Sequence, residues 1–261
     1  MRWIKRLTYT LLTLYLLACT ALFFIQEDLI FHPRQRSLEY DYGVGQERFV
    51  TTTDGRDSLH TLTLRPRPDN ERVTLFLHGN RGDNGRAVYQ ARPILESGQD
   101  LVVMDYRGYG KSSGEITSEA QLLADAQRVY DELAADYGEE NITLVGYSLG
   151  TGMASYLAAE NDPRRLVLAA PYQSLTAMKN LWFWMTPDFL LKYDLDNEEN
   201  LARTRCPVTI LHGDSDRLIP YTMGERLAAV DPGRIQLKLL EGVSHRGVIL
   251  SGAFARLFAK P

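Results

Sequence analysis

Short apolar runs alternate along most of the chain with segments in which apolar residues recur every three or four positions. Runs bounded by turn residues predict buried strands, and helical spacing predicts amphipathic helices. Strands are predicted at 47–52, 59–65, 73–77, 101–104, 142–145, 166–170, 208–212 and 236–240, and helices at 84–97, 118–137, 153–159, 222–230 and 248–258. Continuous apolar strands are typical of sheets covered on both faces. The pattern therefore predicts an α/β fold with a mostly parallel central sheet and helices on both faces.

The N-terminal segment has a different pattern, because it lacks a polar face. Arg2, Lys5 and Arg6 precede the uncharged residues 7–26. A helix of this length, at ~1.5 Å per residue, covers roughly 30 Å, which is the thickness of a bilayer core. We expect a signal anchor at residues 1–30 that attaches the chain to the membrane through residues 7–26.

The positive flank of this segment favours a cytoplasmic N-terminus. We therefore expect a single-pass protein with its domain on the extracytoplasmic side, which is the periplasm in a Gram-negative bacterium. Two other interpretations of the segment stay open: a cleaved signal peptide, and a lipoprotein signal with Cys19 as the modified residue. After a linker at 31–46, residues 47–261 are long enough for one domain with a sizeable core.

Composition excludes several classes of protein. The net charge is −4, from 29 basic and 33 acidic side chains, which gives no basic surface for nucleic acid. Cys19 and Cys206 are the two cysteines, and they offer neither a disulfide framework nor a metal-ligand spacing. We expect no cofactor and no metal.

A candidate nucleophile lies between the predicted strand at 142–145 and the predicted helix at 153–159. The connecting residues, Gly146 to Gly150, fit the pattern G-x-S-x-G with Ser148 at its centre. A strand that turns directly into a helix forces a tight, strained corner, which lifts the serine hydroxyl clear of the sheet. The pattern therefore indicates a nucleophilic serine, whereas the pentapeptide outside this context would indicate only a tight turn.

Other polar residues also follow predicted strands directly. Asn80 follows the strand at 73–77, Asp214 and Asp216 follow the strand at 208–212, and His245 follows the strand at 236–240. In sheets of this kind ligands bind outside the carboxyl ends of the strands. A serine, an acid and a histidine, in that order, are expected at one edge of the sheet, as in acyl-transfer enzymes.

From about residue 49 to its C-terminus, the chain resembles the α/β-hydrolase superfamily. Within it, the chain is similar to the serine-aminopeptidase-like subgroup and to its membrane-anchored hydrolase-domain relatives. The residues that carry this resemblance are His78-Gly79-Asn80, the loop 105–114, the pentapeptide 146–150, the segment 171–175, Cys206-Pro207-Val208, the segment 212–216 and Ser244-His245. Together they are specific for the superfamily, but not for a substrate.

The resemblance implies an α/β-hydrolase fold with a Ser-His-Asp triad. Ser148 would be the nucleophile, His245 the general base and acid, and Asp216 the acid that orients the histidine. Asp214 is the competing acid, and its alternative role is to bond nearby loop amides.

The resemblance also implies an oxyanion hole. The backbone N–H groups of Leu149 and Asn80 would supply its two donors.

The segment at 171–207 is the expected short cap over the site. Its aromatic stretch, residues 181–185, would line an acyl-chain pocket, face the membrane or pack on the core. The leading hypothesis is a membrane-anchored serine hydrolase that cleaves carboxylic esters of lipid-like or medium-chain acyl substrates through an acyl-enzyme. Amide or peptide hydrolysis is one alternative, and a non-enzymatic binding module on the same fold is another.

Overall fold

An eight-stranded sheet lies at the centre of the fold. The computed structural model of the chain describes residues 1–259, so the last two residues of the predicted 47–261 domain lie outside the described residues. The strands are β1 (His32–Pro33), β2 (Gln46–Thr51), β3 (Ser58–Leu64), β4 (Val73–Leu77), β5 (Arg81–Gly82), β6 (Asp100–Met104), β7 (Ile142–Tyr147), β8 (Arg165–Ala169), β9 (Val208–Gly213) and β10 (Ile235–Leu240). The short strands β1 and β5 pair with each other outside the central sheet.

The central sheet is mostly parallel. Its strand order is β10-β9-β8-β7-β4-β6-β3-β2. Strands β2 and β3 form an antiparallel hairpin at one edge, and β3 also runs antiparallel to β6. All other pairs in the sheet are parallel. The carboxyl ends of β4, β7, β9 and β10 therefore point to the same edge, and this edge carries the site predicted from the sequence.

Helices cover both faces of the sheet. The helices of the described chain are α1 (Arg2–Ile30), α2 (Asn84–Gln90), α3 (Arg92–Glu96), α4 (Glu119–Tyr137), α5 (Gly150–Glu160), α6 (Leu175–Trp182), α7 (Asn197–Arg203), α8 (Tyr221–Ala228), α9 (His245–Ile249) and α10 (Gly252–Arg256). One apolar cluster joins α4, α5, α7 and α8 to the sheet, and a second joins α2, α3, α9 and α10 to the other face. The alternation of the strands explains this division, since Leu75 belongs to the first cluster and Phe76 to the second.

Two of the predicted helices are each divided in two. The helix predicted at 84–97 is broken at Ala91, because Pro93 has no N–H to donate and its ring clashes with the preceding turn. The helix predicted at 248–258 consists of α9 and α10. Ser251 separates them, since its hydroxyl caps the second helix by accepting the N–H of Phe254 at 3.1 Å. Both predictions of a single helix were wrong for these local reasons.

Helix α1 is long and apolar enough to cross a membrane, judged by length and composition. Most of its side chains are exposed, but its second half lies against the segment at 171–207. The chain that follows it is held to the domain: β1 pairs with β5, and Gln35 forms a bridge with Gly110. The start of the predicted linker at 31–46 thus fixes the end of α1 beside the sheet.

The turn between β7 and α5 requires glycine at position 150. A Cβ on Gly150 would lie 2.0 Å from the carbonyl oxygen of Leu77 and 2.7 Å from that of His78. No real contact is that short, so a side chain here would force α5 away from β4.

We expect Gly150→Ala to lower the free energy of unfolding by about 3 kcal/mol or more, at or above the upper end of the usual cost of overpacking. Gly233→Ala is the control, because the nearest atom to a Cβ at Gly233 is 3.5 Å away. Thermal denaturation of the two variants measures the difference. Equal midpoints would show that the turn has room for a side chain.

Candidate active site

Ser148 lies at the sharp turn between β7 and α5, as the sequence pattern predicted. Its φ angle is 52°, in the left-handed region that non-glycine residues rarely occupy. The backbone is held there by hydrogen bonds from Ser148 N–H to the carbonyl of Ala169 at 3.0 Å and from Thr151 N–H to the carbonyl of Ser148 at 3.0 Å. The strained corner projects the hydroxyl beyond the sheet edge at the start of α5.

His245 joins Ser148 to Asp216. The Nε2 atom of His245 lies 3.0 Å from Ser148 Oγ, and its Nδ1 atom lies 2.7 Å from Asp216 Oδ2. The loops after β7, β9 and β10 supply Ser148, Asp216 and His245, respectively. The contact between Ser148 and His245 joins residues 97 positions apart in the sequence. The structure brings together the serine, the histidine and the acid that the sequence singled out.

The carboxylate of Asp216 is fixed from two sides. Its Oδ1 accepts the backbone N–H groups of Leu218 and Ile219, both at 2.9 Å. Its Oδ2 faces His245, and His212 Nε2 lies 3.5 Å from the same oxygen. Burial by itself would raise the pKa of Asp216, but the hydrogen bonds with the two histidines and with Ile219 outweigh it and hold the pKa well below its usual value. Asp216 is therefore ionised at neutral pH.

Asp214, the competing acid, makes other contacts. Its Oδ1 accepts the N–H of Gly242 at 2.7 Å and the hydroxyl of Ser215 at 3.1 Å. These bonds tie the loop after β9 to the turn after β10, which is the loop-bonding alternative considered for this residue.

Asn80 lies in the loop next to Ser148. A Cβ on Gly79 would be 3.4 Å from the Cβ of Ser148, so this loop contacts the serine directly. In the part of the chain that the structure describes, no protein acceptor pairs with the backbone N–H of Asn80 or of Leu149. Both predicted oxyanion donors are therefore free to bind a ligand.

The contacts that hold Asn80 were missed by the sequence analysis. Its side-chain amide donates to the carbonyl of Ile30, the last residue of α1, at 3.0 Å. Its own carbonyl accepts the N–H of His32 and the hydroxyl of Tyr109, each at 2.9 Å. The Tyr109 hydroxyl in turn accepts the N–H of His32 at 3.0 Å. The end of α1 and the 105–114 loop thus set the direction of the candidate oxyanion donor.

Two arginines, Arg217 and Arg246, lie beside His245. A cavity of about 520 Å³ is lined by Ser215, Arg217, Leu218, Ser244, His245 and Arg246. Among residues 1–259 there is no group of three or more His, Cys, Asp or Glu side chains arranged to hold a metal ion.

Known proteins are similar to this chain in sequence and in fold. The family model described as the alpha/beta hydrolase fold matches residues 73–205. The lysophosphatidylserine lipase ABHD12 of Mus musculus is 30% identical over 179 residues, which is 60% of this chain. The chain spans 45% of the length of that relative.

Solved structures have a similar fold. The esterase Pf2001 of Pyrococcus furiosus superposes with a TM-score of 0.66 at 19% identity, over 88% of this chain and 96% of that chain. Est1E of Butyrivibrio proteoclasticus, solved with ferulic acid bound, gives 0.65 at 20% identity, over 81% and 96%.

A mostly parallel sheet with helices on both faces and a serine at a strained strand-to-helix turn define the α/β-hydrolase class of fold. The chain belongs to the alpha/beta hydrolase fold family, and the predicted resemblance is confirmed.

Proposed function

We propose that this protein is a membrane-anchored serine hydrolase that cleaves carboxylic esters with lipid-like or medium-chain acyl groups. The observation that carries the proposal is the continuous chain of hydrogen bonds from Ser148 through His245 to Asp216. This arrangement turns a weakly nucleophilic hydroxyl into an attacking group, because a base stands ready for its proton.

In the first half of the reaction, Ser148 Oγ attacks the ester carbonyl carbon while His245 Nε2 takes the hydroxyl proton. The ionised Asp216 fixes the tautomer of His245 with its proton on Nδ1 and stabilises the imidazolium that forms. His245 then gives the proton to the departing alcohol, which leaves an acyl group on Ser148. In the second half a water molecule attacks this acyl-enzyme by the same steps, with His245 as the base, and the carboxylic acid is released.

The tetrahedral intermediates carry a negative oxygen. The N–H groups of Leu149 and Asn80 are the donors proposed for it, since they flank Ser148 and have no protein acceptor within residues 1–259. Leu149 also lies at the N-terminus of α5, where the helix dipole favours negative charge.

Esters of lipid-like acids are favoured by the surroundings of the site. An apolar helix suited to a membrane ends beside Asn80, and the cap segment, residues 171–207, presents large exposed apolar side chains. The relative in Mus musculus is named a lysophosphatidylserine lipase, which is in keeping with a lipid ester as the substrate. We also propose a single-pass arrangement with the sheet domain on the extracytoplasmic side, from the basic residues Arg2, Lys5 and Arg6 at the start of α1.

The substrate class is tested by comparing two kinds of chromogenic substrate with the full chain in detergent. We expect p-nitrophenyl decanoate to be hydrolysed with a higher kcat/KM than p-nitrophenyl acetate, and alanine p-nitroanilide to be left intact. Faster cleavage of the anilide would favour the amide-hydrolase alternative. A folded protein that cleaves neither kind of substrate would favour the binding module.

A further inference from the structure

A groove lies between the N-terminal helix and the cap segment. Its cavity volume is about 270 Å³, and its walls are mostly apolar. Helix α1 supplies one wall, in which Leu22, Phe23, Leu29 and Ile30 take part, and α6 with the residues after it supplies the other. We call this cavity the helix–cap groove.

One end of the helix–cap groove reaches the candidate active site. Ile30 lines the groove, and its carbonyl accepts the side-chain amide of Asn80 at 3.0 Å. Leu218 lines both the groove and the cavity around His245, and its N–H donates to Asp216 at 2.9 Å. An ester bound at Ser148 would therefore have an apolar channel directly beside it.

The size of the groove suits a medium-length chain. A water molecule occupies about 30 Å³ in the liquid, and a methylene group is of similar size. The groove then accommodates on the order of nine methylenes. Removing that many from water is strongly favourable, because each methylene that is buried adds to the hydrophobic contribution.

Specific contacts keep the two walls together. The side chain of Gln26 accepts the N–H of Lys192 at 2.8 Å and donates to the carbonyl of Leu190 at 3.2 Å. The Lys192 ammonium pairs with Glu27 at 2.9 Å, and nearer the N-terminus the hydroxyl of Tyr15 donates to the carbonyl of Met185 at 2.8 Å. The cap segment thus lies along the helix from Tyr15 to Glu27, a distance of about 18 Å at 1.5 Å per residue.

This contact determines where the cap lies relative to a membrane. The part of α1 before Tyr15 is about 20 Å long, which is short of the roughly 30 Å hydrocarbon core. The helix therefore spans the bilayer only if the section beside the cap is also immersed, and the tip of the cap, residues 182–189, enters the membrane with it.

The exposed side chains of the cap agree with immersion. Trp182, Trp184, Met185 and Phe189 are all largely exposed, at 62–84%, and Phe24 of the helix is exposed at 70%. A patch of this kind is unfavourable in water and suits a lipid interface. The ammonium of Lys179, which comes just before these residues in the sequence, is paired with Asp188.

We propose that the helix–cap groove binds the acyl chain of the ester substrate and opens into the bilayer, so that α1 is a wall of the substrate site as well as an anchor. The inference rests on the proposed function. In this arrangement Leu22, which lines the α1 wall far from Asn80, contacts the distal end of the acyl chain.

The full chain in detergent tests the groove with Leu22→Trp, which fills it away from Ser148. We expect kcat/KM for p-nitrophenyl decanoate to fall about tenfold or more, since several methylenes lose their contacts, while kcat/KM for p-nitrophenyl acetate stays within about twofold. Leu17→Trp is the matched control, because Leu17 is on the same helix, is 60% exposed and does not line the groove. We expect it to change neither rate.

Equal losses on both esters in Leu22→Trp, or no loss on the decanoate, would overturn the inference while leaving the proposed function in place. Wild-type protein without activity on either ester would instead overturn the proposed function. Met178→Trp, on the opposite wall, is the second variant and is expected to show the same selective loss.

Immersion of the cap is measured separately with the Trp3→Phe variant, which leaves Trp182 and Trp184 as its tryptophans. In vesicles whose acyl chains carry bromine, we expect strong quenching of their fluorescence. Fluorescence equal to that in unbrominated vesicles would show that the cap stays in water and would overturn the opening into the bilayer.

Discussion

The Ser148→Ala variant is expected to lose ester hydrolysis by about 10⁶ in kcat, while its thermal midpoint stays close to that of the wild type. The loss is large because without Oγ there is no nucleophile, and His245 has no proton to accept. Stability changes little, because among the described residues Oγ is hydrogen-bonded only to His245, and alanine keeps the backbone of the turn. Turnover of p-nitrophenyl esters and thermal denaturation measure the two quantities.

Ser155→Ala is the matched control for this variant. Ser155 is a buried serine of α5, the helix that follows Ser148, and its hydroxyl donates to the carbonyl of Gly152 at 3.0 Å and accepts the side-chain amide of Asn200 at 3.1 Å. Its loss should cost about 1–3 kcal/mol of stability, since a buried amide is left without its partner, and should leave kcat unchanged. Turnover retained by Ser148→Ala would contradict the assigned nucleophile.

Asp216→Asn is expected to reduce kcat by about 10⁴. The asparagine amide can donate to His245 Nδ1, which favours the tautomer with the proton on Nε2. That tautomer cannot take the proton of Ser148. The neutral amide also fails to stabilise the imidazolium, a role for which the low pKa of Asp216 suits the native residue.

Asp214→Asn controls for the loss of a carboxylate in the same loop. Asp214 bonds Gly242 and Ser215 rather than His245, so we expect its variant to retain kcat within a few-fold and to lose some stability. If Asp214→Asn is the damaging change and Asp216→Asn is mild, the acid was assigned to the wrong residue.

Much of this site could be predicted from the sequence, because its residues follow directly from the ends of apolar strands. Ser148 and Asp216 each come just after an apolar run whose buried character is visible in the sequence, and His245 follows the partly exposed edge strand β10. In a parallel sheet the ends of such runs meet at one edge. The choice of Asp216 over Asp214 came from the family resemblance. In the structure, Asp216 lies 2.7 Å from His245, whereas Asp214 bonds Gly242 and Ser215.

The support for Asn80 could not be predicted in this way. It depends on the carbonyl of Ile30, the N–H of His32 and the hydroxyl of Tyr109, which are far apart in the sequence. Backbone groups leave no pattern in the residue types, so a helix interpreted as an anchor gave no sign that its end contacts the site. The break at Pro93, in contrast, has a local cause, and the restriction that proline places on a helix was available in the sequence.

Covalent labelling of the full chain by a fluorophosphonate tests the central claim most directly, because this reagent phosphonylates an activated serine and needs no knowledge of the substrate. Wild-type protein and Ser148→Ala, both shown to be folded by thermal denaturation, are labelled in parallel and mapped by peptide mass spectrometry. We expect one adduct, on Ser148, in the wild type and none in the variant. A folded wild type without an adduct, or an adduct that persists in the variant, would contradict the central claim.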